Sequence, residues 1–158
     1  GQLGLYWARA VQYTRTPVHP YTRTPSIPPP GHKSAVLCIS FSPDGRFLAS
    51  GSSDQRVLVW DIAYGHLLAE LSHHTSIIAG LEFSREGTVL ASSATDCTIA
   101  LWDFGKLMNE AALEEVNVTH NPDVRKDSAA LLLGNYRTKT TAVLHLHFTR
   151  SPSASPSL

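Results

Sequence analysis

The sequence predicts an all-β chain of repeated four-stranded units, and three observations carry that prediction. The chain matches itself at a shift of 42 residues: Phe41 falls on Phe83, Ser42 on Ser84, Gly45 on Gly87, Asp54 on Asp96, and Trp60-Asp61 on Trp102-Asp103. Each copy is a series of short apolar runs broken by turn residues, the pattern of strands rather than of helices. Polar residues recur at fixed offsets inside the runs, where a plain strand pattern does not need them. A self-match of about 40–45 residues with these properties is the sequence form of one blade of a β-propeller.

The elements follow in order. Val36 to Phe41 is almost wholly apolar, as expected of an inner strand covered on both faces. Ser42 to Gly45 reads as a hairpin turn, with Pro43 pre-setting φ and Gly45 supplying a positive φ. Phe47 to Ser52 and Val57 to Asp61 are the next two strands, and Leu67 to Leu71 is the outer one. The second copy repeats this with Ile77 to Phe83, Val89 to Ala94 and Thr98 to Asp103. Its fourth strand is delayed. Lys106 to Val116 has helical composition, and Ala130 to Tyr136 then supplies an outer strand. Thr141 to Thr149 resembles Ser34 to Ser42, and so reads as the inner strand of a third blade.

The resulting organisation is a Pro/Thr-rich disordered leader over 1–30, a partial propeller over 31–150, and a disordered Ser/Pro tail over 151–158. Within the propeller the blades span 31–72 and 73–137, with an incomplete one at 138–150 and a helical insertion at 104–128. The leader contains a tandem eight-residue repeat, Tyr13 to Pro17 and Tyr21 to Pro25, followed by Pro28 to Pro30. Such a stretch removes ladder donors and suits extended chain. Leu3 to Val11 is a strand candidate.

With 158 residues the chain is shorter than a closed ring of 4–8 blades requires. Net charge is zero with 16% charged residues, so no basic patch announces nucleic acid and no run of apolar residues announces a membrane span. Direct sequence-specific nucleic-acid binding is not expected. Cys38 and Cys97 lie in runs that read as strands and match no metal spacing, which suits buried, reduced thiols of an intracellular chain.

The Trp-Asp endings, the Gly31-His32 opening and the period resemble the WD-repeat family. That resemblance implies a hydrogen-bonded tetrad in each blade: His32, Ser50, Asp54 and Trp60, then His74, Ser92, Asp96 and Trp102. A serine, histidine and aspartate set also invites a hydrolase reading, because the trio can activate a hydroxyl. Its duplication at one offset, its aspartate on a tight turn and the added Trp N–H favour a structural role. No catalytic residue, cofactor or small-molecule substrate is expected. His145 and His147 would share a strand face, but no acidic or cysteine partner lies at a metal-binding spacing. His73 stands where the repeat usually has glycine, a place where a turn could be strained. Glu110, Glu114 and Glu115 fit a solvated helix face or a site for a basic partner.

The match narrows at Phe41 to Ser50, Leu131 to Tyr136, and the run from Tyr136 to Arg150 containing Leu144-His145-Leu146-His147-Phe148. These stretches, over roughly Gly31 to Arg150, resemble the C-terminal end of the propeller of the WD-repeat TBP-associated factors, subunits of the general transcription factor TFIID with a yeast form shared with the SAGA coactivator. The resemblance implies a nuclear, non-enzymatic scaffold that packs against histone-fold TBP-associated factors in the RNA polymerase II machinery. Residues 1–30 and the tail after Arg150 depart from that pattern. The alternative is a WD-repeat adaptor of another pathway, such as a ubiquitin-ligase substrate receptor.

Overall fold

The computed structural model describes residues 31–109 and 128–149. β1 (Val36–Phe41), β2 (Phe47–Ser52), β3 (Arg56–Asp61) and β4 (His66–Ser72) form one antiparallel sheet in chain order. β5 (Ile78–Phe83), β6 (Val89–Ala94), β7 (Thr98–Asp103) and β8 (Leu132–Arg137) form a second with the same order. These two sheets are the two blades.

The turn between the first two strands of each sheet is fixed by local chemistry. The Gly45 N–H donates to the Ser42 carbonyl at 2.9 Å, and the Gly87 N–H does the same to Ser84. Both glycines have φ near +70°, which explains why neither position carries a side chain. The next turn uses Gln55 (φ 71°) and Cys97 (φ 65°) in the same left-handed region. Cys97 therefore lies in a turn, not in a strand, and it is half-buried; the aspartate before it turns back on the chain and needs that backbone.

The blades pack through β5, which lies across β1 and β2. A Cβ at Gly51 would stand 2.5 Å from Ile78 Cγ2, so only glycine permits this approach. The Cys38 thiol reaches the Ile78 carbonyl at 3.8 Å from the same side, and burial pushes its pKa up to about 11. Phe104 follows β7 and opens a helical stretch whose described part is 104–109. Its ring meets Phe47 of the first blade and Phe83 of the second edge-on, at 5.2 and 4.9 Å between centroids. Leu107 and Leu131 are buried in the same cluster, the latter in a helical turn, Ser128–Leu131, that runs into β8. Thus both ends of the expected insertion belong to the core. The rest of that helix, with Glu110, Glu114 and Glu115, lies outside the described residues, as do the leader, its Leu3 to Val11 strand and the tail.

Two sequence expectations are corrected here. Residues 141–149 form no strand, because no described strand stands beside them to accept a ladder. They lie against the β5–β6 face, near Gly80 and the buried Ser93 hydroxyl, which has no hydrogen-bond partner among the described residues. And β1 is covered on one face only: Leu37, Ile39 and Phe41 are 55, 43 and 50% exposed, with no described element over them.

Candidate functional site

Each blade holds its four polar residues in one chain of hydrogen bonds running inward from the turn. In the first blade Trp60 Nε1–H donates to Ser50 Oγ at 2.9 Å. Ser50 Oγ is 2.8 Å from His32 Nε2, and His32 Nδ1 is 3.1 Å from Asp54 Oδ2. The second blade repeats the chain through Trp102, Ser92, His74 and Asp96 at 2.9, 2.8 and 3.3 Å. The eight residues named from the sequence are therefore brought together as two sets of four.

Proton placement follows from donor and acceptor capacity. An ionised aspartate only accepts, so His32 Nδ1 carries the proton and Nε2 accepts from the Ser50 hydroxyl. The serine oxygen in turn accepts the tryptophan N–H. Ser50 is 1% exposed and Ser92 fully buried. A hydroxyl at that depth, already holding an indole N–H, is poorly placed to meet a substrate.

The aspartates also organise backbone. Asp54 accepts the N–H groups of Lys33 and Arg56, and Asp96 those of Thr75 and Thr98. This ties the approach to β1 or β5 to the turn before β3 or β7. Sequence reading did not find the extension of the first set: Arg56 spans Asp54 and Glu70. The available signal was the change from Arg56 to Thr98 at the 42-residue shift. His73 is not among the residues with positive φ, so its turn does not need the backbone freedom of glycine; its ring lies edge-on to Trp102 and His74. His147 Nδ1 is 3.0 Å from Glu82 Oε1, and among the described residues no three potential ligands gather for a metal ion.

Burial lowers the pKa of His32 and His74 below 6.5, outweighing the attraction of their aspartates. Burial also acts to raise Asp54 and Asp96, but hydrogen bonds win, from the Lys33 N–H and the Arg56 guanidinium at Asp54 and from the Thr98 hydroxyl and the Thr75 and Thr98 N–H groups at Asp96, leaving Asp54 at about 2 and Asp96 below its ordinary value. All four shifts act in one direction. A histidine with a lowered folded pKa binds fewer protons folded than unfolded, so stability is lost as pH falls through about 6.5. The aspartates add a second loss as pH falls from about 3.8 toward 2. The urea midpoint is expected to decline between pH 7 and 5 and again below 4; a midpoint constant from pH 7 to 5 would contradict this account.

Repeated antiparallel blades, closed at each turn by a histidine, serine, aspartate and tryptophan set, define a class of protein-interaction domain. The chain is a WD40-repeat protein: the model of the WD domain, G-beta repeat, matches residues 23–61 and 65–103. Transcription initiation factor TFIID subunit 5 of Caenorhabditis elegans is 34% identical over 122 residues, covering 76% of this chain and 18% of that protein. The Notchless protein homolog of Arabidopsis thaliana is 66% identical over 32 residues, covering 20% of this chain and 7% of its own length. The solved structure of U3-55K superposes with a TM-score of 0.57 at 25% identity, covering 74% of this chain and 29% of that one. The chain thus spans less than a fifth of the length of these two curated relatives.

Proposed function

We propose that the chain is a non-enzymatic scaffold segment of a nuclear transcription-initiation complex of the TFIID type, contacting TBP-associated factors, among them histone-fold subunits. The observation that carries this reading is the extent of the TFIID subunit 5 match. Its 122 aligned residues exceed the two WD repeats together, so the likeness takes in chain outside the repeat pattern that all WD proteins share. The two tetrads support a structural rather than a catalytic role, because each serine is sealed beneath its own sheet. The cheapest test is immunoprecipitation of the tagged chain from nuclear extract, probed for TBP and for histone-fold TBP-associated factors. Their recovery above a His32→Ala, His74→Ala control is the expected result. Recovery of cullin-type ligase or ribosome-assembly components in their place would overturn it.

A further inference from the structure

The two blades differ at one corner, and the difference leaves a cleft. In the first blade the Arg56 guanidinium fills the space beside the Asp54 turn. Its Nη2 donates to Asp54 Oδ2 at 2.8 Å and to the Gly31 carbonyl at 3.0 Å, and its Nη1 donates to Glu70 Oε2 at 2.9 Å. One repeat later Thr98 holds the Arg56 position, and its hydroxyl reaches only Asp96 Oδ1 and His74 Nδ1. The space is not refilled. A cleft of about 310 Å³ opens there, lined by His73, Thr75, Asp96, Thr98, Asn135 and Arg137.

All three groups that hold the guanidinium in the first blade have counterparts in the wall of this cleft. His73 and Asp96 follow Gly31 and Asp54 at the 42-residue shift. Asn135 pairs with Ala100 across the ladder as Glu70 pairs with Leu58. We propose that this cleft receives the guanidinium of an arginine side chain from a partner protein. Arg56 bridges two carboxylates and a carbonyl. The cleft offers a carboxylate, a carbonyl and, in place of the Glu70 carboxylate, the Asn135 amide, a set that a planar group with five donors can bridge, whereas a lysine ammonium is a compact point charge. Asp96 is held ionised by the N–H groups around it and supplies the countercharge. Arg137, the ladder partner of Thr98 where the first blade has Ser72, stands on the cleft wall and opposes a second cation there.

The partner comes from the scaffold reading above, but the cleft is tested with a free amino-acid derivative. Failure here therefore leaves membership of a transcription complex untouched, and the converse holds. The 158-residue chain is titrated with N-acetyl-arginine methylamide, then with the lysine analogue, while the Asn135 side-chain amide and the Thr98 backbone amide are followed by NMR. Saturable shifts with roughly millimolar affinity are expected for arginine, at least several-fold weaker for lysine. Thr98→Arg, which copies the first blade, should abolish them, and Arg137→Ser should strengthen them. No saturable shift, equal response to both probes, or binding that survives in Thr98→Arg would overturn the proposal. If Thr98→Arg does not fold, Asn135→Leu on the exposed part of β8 serves in its place, and unchanged binding in that variant has the same meaning.

Discussion

Phe104→Ala is expected to destabilise the folded chain by about 3–5 kcal/mol, the range for emptying a buried aromatic site. The ring is 2% exposed and touches an aromatic side chain from each blade. Removing it therefore deletes packing within the second sheet and between the two sheets at once. Backbone relaxation into the space is hindered, because the other members of the same buried cluster, Leu107, Leu90 and Trp102 among them, are themselves fixed in strands or helix. Since domains are stable by only about 5–15 kcal/mol, the variant should show a much lower urea midpoint, or no folded baseline at all. Tryptophan fluorescence during urea unfolding reads this directly. A loss below about 1 kcal/mol would show that the ring does not join the blades.

The second large effect belongs to one hydroxyl. Ser92→Ala leaves the Trp102 N–H and the His74 Nε2 atom without their shared partner, both beneath the sheet. Each orphaned buried group costs about 1–3 kcal/mol, so a total of about 2–6 kcal/mol is expected. The neighbouring residue provides the control. Ser93 is equally buried but its hydroxyl has no partner among the described residues, so Ser93→Ala should cost nothing or stabilise. Urea curves for the two variants, measured side by side, separate a hydrogen-bonded tetrad from generic intolerance of alanine at this depth. Equal losses would remove the tetrad from the account of stability.

The repeat made most of the architecture legible. Strands appear wherever apolar runs recur at the 42-residue shift, and the glycines at 45 and 87 mark turns whose φ values only their identity allows comfortably. The tetrads were readable for the same reason: a polar residue that recurs inside an apolar pattern needs a partner, and two copies at one offset name it. What escaped is where the copies differ. The sequence places Phe104 at the start of an insertion, although it occupies the repeat position of Ile62, which is itself half-buried. Its depth depends on Phe47, more than fifty residues earlier, and no local pattern records that contact. Residues 141–149 carry the composition of an inner strand, but a ladder is a property of two strands and composition belongs to one. The cleft beside Thr98 is a similar case, visible only once β8 brings Asn135 and Arg137 alongside β7.

The delay of β8 has a consequence for the order in which the molecule assembles. In the first blade Arg56 finds Ser72 across a short hairpin, and every pairing up to β4 joins neighbours in the chain. In the second, Thr98 must find Arg137 across more than twice that length of chain. Loop-closure entropy adds about 0.6 kcal/mol per doubling, charged before any contact between β7 and β8 forms. Contacts of greater sequence separation also form more slowly. The first blade is thus the natural early structure, and β5 to β7 can collect on its Gly51 and Cys38 face before the outer strand arrives. Synthesis from the N-terminus favours the same sequence of events, so the segment that closes the second blade is the last to be needed.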